Sequence, residues 1–378
     1  MTGLKIDIDM LPNDSDENLR MLHEGIRLGE LTVSAEGLTT SMGQKYVLSP
    51  EDVLVNNTSF LGRGSSGSVR RATHRKTGKE IALKEIKFTG QTRMMEIRRE
   101  LETLHRGGGP SPYLVDFYGA FCHEGSVFIA MECMDGSLDG VAGSVPPKVL
   151  ECITRSILRG LSYLHKDRHL IHRDIKPSNI LYSRDGSIKI SDFGASSCLE
   201  CTRGNAFSFV GTLTYMSPER LKGEPYSFPA DIWSLGLAVA ELALGKCPFI
   251  DRLSRANGST EGCFWVLLQH LNGDGPVISL PSSMNASMTD FITTCIQREP
   301  SKRPTCDELR RHPFVAEGDE ENDKNVIKQW LSTMQPKSSS HDIADVDGVC
   351  RMQQVPCSMG GADESSFDLD EELNKLVQ

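Results

Sequence analysis

His172-Arg173-Asp174-Ile175-Lys176-Pro177-Ser178-Asn179, with Asp192-Phe193-Gly194 thirteen residues beyond Asn179, is the stretch whose reading decides the fold and the chemistry. It sets a carboxylate at 174, an amine at 176, a carboxamide at 179 and a second carboxylate at 192. Phosphoryl transfer calls for these types: a base for the attacking hydroxyl, a cation against the transferred group, and oxygen donors for metal ions bridging the phosphates. Asp174 is read as the base, Lys176 as the cation, and Asn179 and Asp192 as the ligands of Mg2+. Most of such catalysis is positioning and electrostatics. A lone Asp-Phe-Gly occurs in many turns, but two ordered motifs at this separation are not a chance arrangement.

Upstream, Leu61-Gly62-Arg63-Gly64-Ser65-Ser66-Gly67-Ser68-Val69 is a Gly-x-Gly-x-x-Gly-x-Val loop between two strand-like runs. Without Cβ atoms its backbone N–H groups can close over phosphates. Alone, such a hairpin is equally well a loop without any ligand. Seventeen residues beyond Gly67, Ile81-Ala82-Leu83-Lys84 ends an apolar strand in a lysine suited to the α and β phosphates of ATP. Leu61, Gly62, Gly64, Gly67, Val69, Ala82 and Lys84 are therefore the candidate nucleotide contacts on this side. A helical segment from Met94 to Arg106 offers Glu96, Glu100 and Glu102 as partners for Lys84. With Ile97, Leu101 and Leu104 as the inward stripe, Glu100 flanks it and turns toward the cleft, and Glu96 is the alternative.

Taken together, residues 51–315 resemble a eukaryotic protein kinase domain, and within that superfamily the chain is similar to the MAP kinase kinases. The narrower match rests on Ser111-Pro112-Tyr113-Leu114-Val115-Asp116-Phe117-Tyr118-Gly119-Ala120-Phe121, on Met131-Glu132-Cys133-Met134-Asp135-Gly136-Ser137-Leu138-Asp139, and above all on Ser208-Phe209-Val210-Gly211-Thr212 through Tyr215-Met216-Ser217-Pro218-Glu219-Arg220. The resemblance implies an α+β fold of two lobes, a β-rich small lobe and a helical large lobe. It implies that Met131, Glu132 and Met134 contact adenine, with Met131 limiting the back pocket. It implies structural roles for a Glu219–Arg303 pair and for Asp231 as a brace of the catalytic loop. Thr202 and Ser208 are the expected activating phosphorylation sites, Ser208 by alignment and Thr202 by the six-residue spacing of plant-type members. Position 204 is glycine, and Ser196 and Ser197 remain alternatives. A phosphate at these positions could order the loop, with Arg173 as its receiver.

The activity so implied is dual-specificity transfer from ATP to a threonine and a tyrosine in the activation loop of a MAP kinase substrate, under control of an upstream MAP kinase kinase kinase. A serine/threonine kinase of another tier and a non-catalytic scaffold are the alternatives; no catalytic group is missing, which argues against the second. Two departures stand out. Only Lys5 precedes Ile6-Asp7-Ile8, where family members carry a basic docking cluster, and no proline-rich insertion follows Pro248.

The 378 residues carry a formal net charge of −10. Residues 1–50 hold 8 acidic and 4 basic side chains and residues 315–378 hold 14 and 5, so the intervening domain is near +3 and the acidity sits in the extensions. No basic stripe with interleaved aromatics points to a nucleic acid, and an acidic chain has no pull toward anionic lipid. No charged-then-apolar leader and no run of ~18 apolar residues is seen, so a cytoplasmic location is the expectation. Eleven cysteines without a leader read as reduced thiols; Cys198 and Cys201 could form a redox pair within the activation segment. The N-terminal extension, 1–50, is expected to be partly disordered, with Leu19, Leu22 and Ile26 on one helix face. The C-terminal extension, 316–378, is expected to be mostly disordered, with a helix through Val326, Ile327, Trp330 and Leu331 and a second possible helix through Phe367, Leu369, Leu373 and Leu376.

Overall fold

The computed structural model describes residues 19–22, 25–63, 67–87, 91–107, 111–141, 143–192, 213–253, 260–316 and 318–334. The expectations for Gly64, Phe193, Gly194, Thr202, Ser208, the Cys198/Cys201 pair, Lys5 to Ile8 and the tail beyond 334 fall outside them.

The small lobe is a five-stranded antiparallel sheet of order β6-β7-β8-β10-β9: β6 (Val53–Arg63), β7 (Ser68–His74), β8 (Glu80–Lys87), β9 (Phe117–His123) and β10 (Ser126–Glu132). Helix α1 (Gln91–Gly107) connects β8 to β9. Register places Val69 opposite Lys84, Lys84 opposite Ile129, and Ala82 opposite Met131. Directly opposed residues share a face and side chains alternate with period two, so Val69, Ala82, Lys84, Ile129 and Met131 line one side of the sheet.

A short sheet of β11 (Gly136–Ser137), β12 (Ile180–Tyr182) and β13 (Ile188–Ile190) leads into the large lobe. The helices there are α2 (Pro147–Ser162), α3 (Pro218–Leu221), α4 (Pro229–Leu244), α5 (Ile250–Leu253), α6 (Thr260–Asn272), α7 (Ala286–Cys295) and α8 (Cys306–Leu309). Helix α4 is apolar on every side and nearly every residue from Ala230 to Leu242 is buried, as expected of the central helix of a lobe. Proline at its first turn and Gly245 at its C-terminal end, at φ 68°, punctuate it. A single π turn, Tyr163–Asp167, prolongs α2 and delivers His165 onto α4.

Two additions lie outside this frame. The expected helix face at Leu19, Leu22 and Ile26 is corrected by the structure to a meander of β1 (Leu19–Leu22), β2 (Gly25–Leu28), β3 (Leu31–Ser34), β4 (Gly37–Thr40) and β5 (Lys45–Val47), paired in chain order. Leu28 pairs with Leu31 and Ser34 with Gly37, so two-residue connections close both hairpins. The alternation of Ile26 with Leu28 and of Leu31 with Val33 puts apolar side chains on one face, a period that a helix cannot use. At the other end the expected helix forms as α9 (Glu320–Thr333), capped by Asp319, whose carboxylate accepts from Asn322 N at 3.1 Å. It packs on α2, where the Arg155 guanidinium donates to both oxygens of Asp323 in a buried pair.

Candidate active site

The cleft between the lobes gathers groups from five elements. Lys84, in the buried middle of β8, directs Nζ to Glu100 Oε1 of α1 at 2.6 Å and to Asp192 Oδ1, just past β13, at 3.0 Å. Burial opposes the lysine charge, and the Asp192 and Glu100 carboxylates more than offset it, so the Lys84 pKa is raised. Lys84 in turn holds Asp192 below the usual carboxylate range. Ile97 and Leu101 are fully buried and Leu104 is 2% exposed, which confirms the inward stripe and leaves Glu100 beside it, on the side that reaches the lysine. Asp192 sits at φ 57°, a left-handed conformation uncommon outside glycine and a place where backbone strain often marks function.

The catalytic-loop motif closes on itself. Asn179 Nδ2 donates to the Asp174 carbonyl at 2.8 Å and to Asp174 Oδ2 at 2.9 Å, and Lys176 Nζ lies 2.9 Å from the same Oδ2. His172 Nε2 lies 2.9 Å from the Ser191 carbonyl, while Nδ1 accepts from Asp174 N at 3.2 Å. That pattern requires a proton on Nε2 and none on Nδ1, in keeping with a pKa that burial pushes down. Beneath the loop, Asp231 of α4 accepts from His172 N and Arg173 N at 2.8 Å each, and its Oδ2 meets His165 Nε2 at 2.8 Å. Burial would raise the Asp231 pKa, but the His165 hydrogen bond leads the effects that bring it below the usual range. Sequence reasoning placed Asp231 and missed His165, which nothing in its local pattern marks.

The nucleotide side follows from register. Val69, Ala82 and Met131 lie on the face that carries Lys84. Leu61 falls at an irregularity between the Phe60–Arg70 and Gly62–Val69 pairs and remains exposed. A Cβ on Gly67 would stand 1.9 Å from the Glu85 carbonyl, so only glycine permits the return strand to pass this close. The connection after β10 is pinned by its own side chains: Glu132 Oε2 accepts from Lys189 Nζ at 2.6 Å and from Asp116 N at 3.2 Å. Met134 is buried.

The residues present fit a hard cation. The Asn179 amide nitrogen is committed to Asp174, which leaves its oxygen as the acceptor to set beside the Asp192 carboxylate. Two oxygen donors are too few for an all-protein cage and match Mg2+, which retains waters and shares substrate phosphates.

Beyond the cleft, Arg303 donates to both oxygens of Glu219 at 2.7 and 2.8 Å, both residues being buried. Arg173 and Arg220 both stand over the Tyr226 ring, at 5.9 and 5.2 Å. Arg220 Nη1 also donates to the Arg173 carbonyl. Among the described residues no helix is long and apolar enough to cross a membrane.

Residues 55–315 match the protein kinase domain. The chain is 59% identical over 320 residues to mitogen-activated protein kinase kinase 5 of Leishmania mexicana, covering 83% of this chain and 60% of that protein. It is 36% identical to mitogen-activated protein kinase kinase 1c of Physcomitrium patens, over 81% of this chain and 88% of the relative. It is 37% identical to mitogen-activated protein kinase kinase 1 of Arabidopsis thaliana, over 76% and 84%. The chain thus spans about three fifths of the length of the Leishmania relative.

Proposed function

Because the chain belongs to the protein kinases and, within them, to the MAP kinase kinases, we propose that it transfers the ATP γ-phosphate to a threonine and a tyrosine of a MAP kinase activation loop. The observation that carries the reading is the junction at Lys84 Nζ, which joins β8, α1 and the Asp192 segment over the Asp174–Lys176–Asn179 cluster. Asp174 receives the proton of the attacking hydroxyl, and its orientation is supported by Asn179 and by the Asp231 brace below. Lys176, already beside Asp174, meets the charge on the transferred group, and Lys84 orients the α and β phosphates. Met131, Glu132 and Met134 frame the adenine. Asn179 and Asp192 would hold Mg2+, which would supply positive charge to neutralise the phosphates.

Thr202 and Ser208 are the activating sites in this reading, switched by an upstream MAP kinase kinase kinase. The convergence of Arg173 and Arg220 on Tyr226 supports it, since guanidiniums beside the catalytic Asp174 are suited to receive a phosphate. The protein acts in the cytoplasm. The test is to incubate the chain carrying Thr202→Glu and Ser208→Glu with ATP, Mg2+ and inactive MAP kinases, then map phosphosites by mass spectrometry. Phosphate on both Thr and Tyr of one activation loop, lost with Asp174→Ala, is expected. Transfer to Ser or Thr alone would assign the enzyme to another tier.

A further inference from the structure

The β1–β5 meander precedes the stretch that matches the protein kinase domain, yet it is built into the small-lobe core. Ile26, Leu28, Leu31, Val33 and Leu38 are at most 2% exposed and share one apolar cluster with Ile97, Leu101 and Leu104 of α1. Strands β2 and β3 touch α1, and β3, β4 and β5 touch β9. Polar contacts fasten the seam. Tyr46 Oη lies 3.1 Å from His105 Nδ1 on α1, the two rings meet edge-on, and the Tyr46 ring packs 5.1 Å from Phe117 of β9. Cys122 Sγ donates to the Val33 carbonyl at 3.4 Å. Gly29, at φ 61°, lies against the end of the Arg98 side chain of α1: a Cβ there would stand 2.8 Å from the guanidinium.

Helix α1 is therefore held from two directions. Glu100 reaches Lys84 on the cleft side, and the meander packs on the same helix two residues before it and five after it, at Arg98 and His105. A buried ion pair contributes little net stability by itself, because desolvation cancels most of its attraction. The position of α1 must then be set by the packing behind it. Withdrawing Glu100 from Lys84 would carry Ile97 and Leu101 out of the shared core and part Tyr46 from His105. We propose that the meander over 25–47 is a built-in brace that holds α1 inward, and that Tyr46 is a positioning residue acting on Glu100 through His105. This rests on phosphoryl transfer in the cleft and is independent of which substrate is phosphorylated.

The test uses the full chain with Tyr46→Phe, which deletes one hydroxyl, and Tyr46→Ala, each alone and with Glu100→Gln. Hydrogen exchange over 91–107 is measured with kcat and KM for ATP. Tyr46→Ala is expected to speed α1 exchange about tenfold while α4 stays protected. It should lower kcat roughly five- to thirtyfold with KM changed less than about twofold, and Tyr46→Phe should lower kcat about threefold. In the Glu100→Gln background the Tyr46 substitutions should cost under about twofold, because the ion pair they act through has already been reduced to a neutral hydrogen bond. Unchanged kcat and α1 protection in Tyr46→Ala would overturn the brace, as would an undiminished Tyr46 effect beside Glu100→Gln, which marks general destabilisation. If Tyr46→Ala does not fold, Tyr46→Phe carries the same comparison. A parent without phosphotransfer would sink the proposed function, and α1 exchange would still decide the brace.

Discussion

Replacing Asp231 by asparagine tests the support of the catalytic loop. One carboxylate accepts three hydrogen bonds: Oδ1 takes Arg173 N, and Oδ2 takes His172 N and His165 Nε2. Asparagine keeps one acceptor oxygen and presents an NH2 in place of the other. The least damaging orientation turns that NH2 toward Arg173 N and leaves a buried donor facing a donor, at about 1–3 kcal/mol. The two bonds that survive lose their charge assistance, at about 1 kcal/mol each. The total is about 3–5 kcal/mol, and because both backbone donors lie in the two residues just before Asp174 the cost falls on the proposed base. If half of it is expressed in the transition state, kcat drops roughly 10- to 100-fold. The Tm should fall by about 6–15 °C for a domain of this size. A coupled phosphotransfer assay and a thermal melt of the purified chain measure both, with KM for ATP within about threefold of the parent. A kcat within threefold of the parent and an unshifted Tm would refute the reasoning, and with it the view that α4 positions the base.

Asp323→Ala strands the Arg155 guanidinium in the interface of α9 with α2; removing one partner of a buried pair costs about 3–5 kcal/mol, so a thermal melt should shift by roughly 10 °C. Glu100→Gln converts a charge-assisted bond to a neutral one and should lower kcat about tenfold, and a steady-state rate equal to the parent would contradict the role of the pair. The folded-state pKa values of His172 and His270 are lowered chiefly by burial, below the ordinary value near 6.5. Both therefore add stability that is fully present above pH ~6.5 and is lost as pH falls from there toward the folded values. The Tm should decline from pH ~7 to ~5.5, and His172→Tyr with His270→Gln should flatten the decline; an unchanged slope in that double variant would reject the assignment.

The arrangement of the cleft was legible because much of it is carried by local spacing. Asp174, Lys176 and Asn179 lie within six residues of one another, so the turn that carries them can be read before any tertiary contact is known. Glu100 was legible through helical period alone: Ile97, Leu101 and Leu104 define the buried side and leave one carboxylate flanking it. The meander was misread because Leu19, Leu22 and Ile26 satisfy a helix spacing, while the competing signal is spread over three hairpins of four-residue strands. The tight turns after Leu28 and Ser34, with the Ile26/Leu28 and Leu31/Val33 alternation, held the right answer. Arg155–Asp323 and His165–Asp231 join residues 168 and 66 positions apart. Such pairs are made by packing of one helix on another, and local sequence carries no trace of them.

The single ammonium at Lys84 has a consequence for control. A strand, a helix and the segment at Asp192 converge on one atom, and each arrives through a different part of the chain. In the proposed reaction the arrangement computes a conjunction: full output requires helix and segment in place together, and a fault in either lowers it. Inputs that converge in this way multiply, so two weak regulators acting on separate elements yield a sharper switch than one strong regulator acting on either. It also makes silence easy to reach by mutation and constitutive output hard, because no single contact stands for the whole.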